Sequence, residues 1–275
     1  MNNIISTSDY PIHIGTNALE ALRDLVAAGS FTQVMVLTDH NTARECLPRL
    51  KKVLEFDAHF SISPGEKHKT IASCEAVWEA MTTHGLDRKS LLINLGGGLV
   101  GDLGGFSAAC FKRGLAFVQV PTSLLAQVDA SVGGKTGVNF AHFKNQVGTF
   151  VNPLAVFVDS TFLDTLPERE ALSGYAEVLK HCLIADGLRW VDLAGLSGLP
   201  MSLGPVIASS IQIKADIVAL DPREDGPRKG LNFGHTVGHA LESWFMDQTK
   251  SLLHGEAVAM GMICESFISY QLGTL

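Results

Sequence analysis

This chain lacks the features that would place it in several large protein classes. Its five cysteines, Cys46, Cys74, Cys110, Cys182 and Cys264, are scattered and form no Cys-x-x-Cys pair. An odd, dispersed set argues against a disulfide framework and a cysteine-ligated zinc site, and fits a reducing compartment such as the cytoplasm. No stretch approaches the roughly 20 apolar residues needed to span a bilayer, so no membrane association is expected. The opening Met1-Asn2-Asn3-Ile4-Ile5-Ser6 has neither the basic end nor the apolar core of a secretory leader. Positive charge is not in excess. The formal net charge is -7, which argues against nucleic acid as a partner but leaves room for a locally basic pocket. There are no internal repeats and no low-complexity tracts.

What is present is a globular composition. Hydrophobic residues make up 46% and charged residues 18% of 275 positions. That is enough for a large core and two domains. The first part alternates strand and helix signals. Residues 33–38 are a short apolar run that reads as a buried strand, and 56–62, 90–95 and 116–120 are further strand candidates, the last stopped by Pro121. Residues 42–54, 70–84 and 100–109 read as helices, with Ile71, Cys74, Val77, Trp78 and Met81 on one face of the second. This alternation predicts a Rossmann-like α/β domain with a mainly parallel sheet, whose ligands collect at the carboxyl ends of the strands. Strand signals fade beyond about residue 161. Residues 167–185, 205–220, 234–245 and 255–272 read as helices, with Pro167 at a helix start and residues 187–204 as a loose glycine-rich connection. The expected domains are residues 1–159, α/β, and 160–275, all-α.

Three segments carry chemistry. Gly96-Gly97-Gly98-Leu99-Val100-Gly101-Asp102 follows a strand and opens a helix. Such a turn lets the backbone approach a pyrophosphate and presents helix N–H groups to it. Its spacing is not the usual Gly-x-Gly-x-x-Gly, and a tight turn needed only for packing is the bland alternative, but Asp102 places a carboxylate at the glycine-rich opening and favours function. Asp39, at the end of an earlier strand, could hydrogen-bond a ribose. The polar loop at residues 64–69 reads by itself as a solvated turn. In the middle of the chain, Gly133-Gly134-Lys135-Thr136 resembles the end of a P-loop. However, Val128 or Asp129 stands where the first glycine belongs, so a P-loop is rejected. Lys135, Lys144 and Asn145 near glycine turns suit an anionic substrate. Further on, His235 and His239 at i, i+4 share a helix face, as do Glu177 and Lys180 at i, i+3, and His254 opens another helix. A carboxylate and two or three histidines are the ligand set of a catalytic zinc site. Spacing alone does not say which of His235, His239 and His254 bind metal, although a pure i, i+4 argument would choose both His235 and His239.

Taken together, the motifs 96–102, Gln119-Val120-Pro121-Thr122, 127–136, Lys144-Asn145, 174–180, 231–235 and His254-Gly255-Glu256-Ala257 resemble the 3-dehydroquinate synthases, in order and over nearly the whole chain. The resemblance implies metal ligation by Glu177, His235 and His254, with zinc or cobalt as the ion. It moves His239 to the substrate side as a proton relay. It implies NAD contacts at Asp39, Glu66, Lys69, Gly97, Gly98, Leu99, Val100, Gly101, Asp102, Thr122, Ser123, Asp129, Lys135, Lys144, Phe162 and Thr165. The substrate would meet Asp129, Lys135, Lys144, Asn145, Lys180, Lys214, Arg228, Asn232 and His239. Arg113 would reach a sugar phosphate bound by a neighbouring subunit, which implies a homodimer.

The implied reaction acts on 3-deoxy-D-arabino-heptulosonate 7-phosphate in the shikimate pathway. The C5 hydroxyl is oxidised, phosphate is eliminated, the ketone is reduced again, and the ring opens and closes by an aldol step. The metal would act as a Lewis acid and NAD would return to its starting state. The chain departs from the family at Ser123, where threonine is usual, and at Phe143, where glycine is usual. Family members also continue past the position of Leu275 with a further helical segment that carries a substrate-binding lysine, so Ile263, Phe267 and Ile268 are expected to be exposed in a chain ending here. Related sugar phosphate cyclases, a metal-dependent polyol dehydrogenase, which would produce net NADH, and an inactive short homologue are the competing readings.

Overall fold

The structure is a computed structural model that describes residues 3–141, 143–245 and 251–275. The chain forms two compact units, Met1–Thr165 and Leu166–Leu275.

The first unit is built on a seven-stranded sheet. In chain order its strands are β1 (Asn3–Ser6), β2 (Pro11–Ile14), β3 (Val34–Asp39), β4 (Ala58–Ile62), β5 (Leu91–Gly96), β6 (Ala116–Pro121) and β9 (Val156–Val158). The spatial order is β1-β2-β9-β6-β5-β3-β4. All pairings are parallel except that of β1 with β2. The central strands β3, β5 and β6 are buried almost throughout and mainly apolar, with Thr38, Asp39, Asn94 and Gln119 as exceptions, because a parallel sheet covered on both faces leaves no strand face in water. Neighbouring residues of one strand point to opposite sides. Thus Met35 and Leu37 pack with α4 (Ile71–Thr83) and α5 (Gly98–Cys110), while Val34 and Val36 pack with α1 (Ala18–Ala28) and Leu47 and Leu50 of α3 (Leu47–Leu50). A separate antiparallel hairpin, β7 (Lys135–Phe140) and β8 (Phe143–Phe150), carries the lysine-rich segment.

One helix expected over residues 42–54 is instead two short ones. α2 (His40–Glu45) ends at Cys46, and α3 begins at Leu47 with a proline in its first turn. Pro48 has no N–H to continue the earlier ladder, so the break falls there.

The second unit is helical, and no strand follows Val158 among the described residues. It contains α6 (Glu168–Ala185), α7 (Gly187–Ala194), α8 (Gly204–Leu220), α9 (His235–Phe245) and α10 (His254–Gln271). The expected loose connection at 187–204 is corrected by α7. Asp186 caps that helix by accepting the Arg189 N–H, which a count of glycines does not register. No helix is long and apolar enough to cross a membrane among the described residues.

Candidate active site

In the first unit the expected nucleotide residues gather at one edge of the sheet. Strands β6, β5 and β3 are neighbours and parallel, so their carboxyl ends lie side by side. Thr122 follows β6 and donates its N–H to Gly96 O at 3.0 Å. Gly97 is the residue before α5, whose first turn carries no acidic side chain and no side-chain cap. The free N–H groups there suit an anion. A Cβ at Gly97 would lie 3.3 Å from Ser123 Oγ, so the Ser123 hydroxyl borders the turn. Asp39 closes β3 and uses Oδ1 to cap α2 through the Thr42 N–H, at 2.8 Å.

A polar network surrounds the far side of this turn. Buried Lys69 pairs with Asp102 and hydrogen-bonds Asn145, and Lys144 approaches Glu66 at 3.9 Å. Asn139 ties these residues together. Its amide donates to Glu66 Oε1 at 2.9 Å, its Oδ1 accepts the Asn145 N–H at 2.9 Å, and its own N–H reaches Lys69 O at 2.8 Å. The sequence reading does not single out Asn139, because one asparagine in a polar hairpin has no distinguishing pattern.

The remaining first-unit residues are placed differently. Asp129 lies in a π-helical turn, Ala126–Ala130, and Lys135 is exposed at the start of β7. Phe162 is buried in the apolar cluster with Leu47 and Leu50, with the Arg49 guanidinium over its ring, and Thr165 Oγ1 donates to Phe162 O. Arg113 sits at the opposite end of α5 from Gly97. Thirteen residues of helix separate them, about 20 Å.

In the second unit Glu177, His235 and His254 converge. Their ligand atoms lie within 4.8 Å of one another. Glu177 and Lys180 are fully buried on α6 and paired with each other. His235 begins α9, and His254 begins α10. The helices are locked close. The Gly255 N–H donates to Ser173 Oγ of α6 at 3.0 Å, and a Cβ on Gly255 would stand 1.8 Å from Ser173 O. Arg169 of α6 grips both carboxylate oxygens of Glu256 at 2.6 and 2.7 Å and also donates to Ser251 O.

The two imidazoles are oriented alike. Nδ1 of His235 faces the Phe233 carbonyl at 3.2 Å, and Nδ1 of His254 faces the Glu242 carboxylate at 3.3 Å. A carbonyl and a carboxylate only accept, so each Nδ1 carries the proton. Each Nε2 then points at Glu177 Oε1, at 3.8 Å from His235 and 3.6 Å from His254. These spacings are long for hydrogen bonds. They are near the roughly 3.3–3.4 Å edge of a tetrahedral site with ligand distances of about 2.0–2.1 Å. The donor set therefore fits a divalent metal ion. The electrostatics agree. Burial first, and the Lys180 charge second, lower the His235 pKa to about 4, leaving a neutral ring able to ligate. His254 goes the other way, to about 9: burial opposes its charge, but hydrogen bonds and charges from Glu177 and Glu242 prevail. A centre that draws a proton to one histidine in this way is a centre that favours a cation.

His239 is exposed, with its ring 5.1 Å from that of His235 and 5.9 Å from that of His254. The pure i, i+4 argument would join His235 and His239, and the structure groups them differently. Among the described residues the two fall in different potential ligand groups, each with His254. The Nε2 of His235 faces Glu177 beside that of His254, whereas His239 groups with Glu242 and His254. Lys214 is buried on α8. One turn before it, Ser210 Oγ lies 2.6 Å from His181 Nδ1, tying α8 to α6. Arg228 is buried in a short turn, and its Nη1 donates to Pro222 O at 2.5 Å. Asn232 is exposed and donates to Glu224 at 3.2 Å. The sequence does not single out Glu242: its place seven residues after His235 puts it on the same face of α9, but its partner His254 lies on another helix.

Comparison with known proteins agrees across the chain. Residues 59–173 match the family model described as 3-dehydroquinate synthase N-terminal, and residues 174–275 match the one described as 3-dehydroquinate synthase C-terminal. The chain is 40% identical over 270 residues to a 3-dehydroquinate synthase of Parabacteroides distasonis, covering 96% of this chain and 76% of that protein. A crystal structure of 2-deoxy-scyllo-inosose synthase complexed with carbaglucose-6-phosphate, NAD+ and Co2+ is similar, with a TM-score of 0.82 and 27% identity over 99% of this chain and 78% of that one. So is the 2-epi-5-epi-valiolone synthase of Streptomyces hygroscopicus with NAD+ and Zn2+ bound, with a TM-score of 0.80 and 26% identity over 98% and 77%.

Proposed function

The chain belongs to the 3-dehydroquinate synthase family, and on that premise we propose how its residues divide the work on 3-deoxy-D-arabino-heptulosonate 7-phosphate. The observation that carries the reading is the convergence of Glu177, His235 and His254 with both Nδ1 atoms already anchored. These three residues hold a zinc or cobalt ion. When bound, the ion supplies Lewis acidity toward the substrate hydroxyls, and NAD supplies a reversible hydride acceptor.

The residues of the chain do the rest. Within the Gly97–Asp102 turn, the first-turn N–H groups of α5 are offered to the NAD pyrophosphate, with Thr122 and Ser123 beside it and Asp39 at the ribose. Glu66, Lys69 and Asp102, linked by their network, shape the neighbouring wall, and Asp129, Phe162 and Thr165 complete the nucleotide assignments. Lys135, Lys144, Asn145, Lys180, Lys214, Arg228 and Asn232 bind the anionic groups and hydroxyls of the sugar phosphate. Buried cations such as Lys180, Lys214 and Arg228 lose little to solvent screening when they meet an anion. His239, exposed one turn beyond His235, passes a proton to or from the substrate. The leaving phosphate takes the C6 proton itself, so elimination needs no strong protein base. Arg113, about 20 Å of helix away from the glycine turn, serves a neighbouring subunit's substrate in a homodimer. The protein acts in the cytoplasm.

The test is release of inorganic phosphate from 3-deoxy-D-arabino-heptulosonate 7-phosphate with NAD and zinc or cobalt, beside a chelator control. Chelator-sensitive release without net NADH is expected. Release only from a different sugar phosphate would move the assignment to a sister cyclase. Net NADH from a polyol would replace it with a dehydrogenase.

A further inference from the structure

We propose that Glu242 is a positioning residue of the metal centre, holding His254 so that Nε2 faces the ion; this rests on the metal reading above. Glu242 is buried on α9, on the face shared with His235 and His239 at spacings of seven and three residues. Its Oε2 lies 3.3 Å from His254 Nδ1. The carboxylate accepts and cannot donate, so it selects the Nδ1–H tautomer and leaves the Nε2 lone pair toward Glu177. His235 gains the same orientation from the Phe233 carbonyl in its own chain segment. His254 is the first residue of its helix, and its ring needs a partner from α9. A negative partner also makes the ring a stronger donor to a cation than the carbonyl makes His235. The two histidine ligands are thus supported unequally, and the stronger support comes from a residue that is not itself a ligand.

The experiment uses the full chain freed of metal and titrated with cobalt against a chromogenic chelator, for the wild type, Glu242→Gln and Glu242→Ala. Far-ultraviolet circular dichroism of each metal-free protein checks the fold. The expected result is one ion per wild-type chain, with affinity weakened about 10–100-fold in Glu242→Ala. Glu242→Gln, which keeps an acceptor oxygen of the same reach, falls between. The visible cobalt spectrum shifts in the alanine variant, a change that loss of packing alone does not produce at matched occupancy. If the alanine variant misfolds, the glutamine variant still decides. Wild-type affinity and spectrum in the folded variants overturn the inference and leave the metal centre standing. Two ions per wild-type chain overturn it differently, by making Glu242 a ligand with His239 and His254. A wild-type protein that takes up no cobalt overturns the metal reading, and the inference with it.

Discussion

The Glu265 carboxylate accepts the Gly234 N–H at 2.7 Å, and its second oxygen accepts the Val237 N–H at 3.1 Å. Glu265 belongs to α10 and Gly234 immediately precedes α9, so one side chain caps the helix that carries His235 from the helix that carries His254. The backbones can approach because Gly261 lacks a side chain: a Cβ there would lie 1.9 Å from Gly234 O. Replacing Glu265 by alanine removes the cap and should cost about 1 kcal/mol, the usual value of an N-terminal cap. It should also weaken metal binding, because the two histidine helices lose their tie. Urea unfolding of the metal-free protein reads the first effect and chelator competition the second. An unchanged urea midpoint would show that the contact carries no stability.

The contact of Gly255 with Ser173 makes a second prediction. An added methyl at Gly255 meets a backbone oxygen, which cannot rotate away, so α10 must move from α6. Gly255→Ala should destabilise the second unit by about 1–3 kcal/mol, the range for overpacking. It should also displace His254 from Glu177, lowering metal affinity at least tenfold. NAD binding, assigned to the first unit, should survive. Calorimetric titration with NAD beside cobalt uptake separates the two effects, and equal loss of both would contradict the division of roles.

How much of this could be read beforehand depended on burial. The strands β3, β5 and β6 stand out as mainly apolar runs because strands buried on both faces are mostly apolar, while β4, at the sheet edge, shows only an alternation of Ala58, Phe60 and Ile62 with polar residues. The strands β1, β2 and β9 have four, four and three residues, too few for a pattern to rise above chance. The hairpin β7–β8 is polar and largely exposed along β8, so it reads as a patch of charge. In the second unit His235 and His239 advertise themselves by spacing, but only the crossing of α6, α9 and α10 shows which groups face one another. Glu242 and Glu265 show the same limit: each acts on a partner in the neighbouring helix, and no periodicity within one helix records that.

Asp221 gives a prediction in pH. Burial pushes its pKa up, yet backbone N–H groups of Gly226, Asp225, Arg228 and Glu224 outweigh this and hold it below the ordinary carboxylate value. A depressed pKa in the folded state means that the ionised group stabilises the fold above the unfolded pKa of about 4. That contribution disappears as pH falls through the lower folded value. Asp221→Asn should therefore be less stable than the wild type at pH 7, and the gap should narrow steadily below pH 4. Urea midpoints for both proteins across this range measure it. A gap that stays constant into acid would mean that charge is not what the loop uses. Because this loop also sets the backbone of Arg228, the variant should lose substrate affinity at neutral pH.

Asn139 joins three backbone and side-chain groups that neighbour the glycine turn, and its loss should be felt in NAD binding. Alanine there removes the amide from Glu66 and leaves the Asn145 N–H without its acceptor. Asn145 has a left-handed backbone, φ +50°, a conformation of some energetic cost that the surrounding bonds must hold. With Asn139 gone, Asn145 relaxes and Lys69 loses a neighbour at its ammonium. Neither Asn145 nor Glu66 is replaced, so a changed affinity for NAD in Asn139→Ala reports their placement and not their chemistry. A tenfold weaker NAD affinity with unaltered cobalt uptake is the expected result. Asn139→Asp makes the sharper comparison: it keeps the acceptor for Asn145 but faces the Glu66 carboxylate with a like charge, so it should recover the Asn145 contact and still bind NAD poorly if Glu66 is the limiting element. NAD affinity equal to wild type in both variants would mean that the hairpin holds its geometry through its ladder alone.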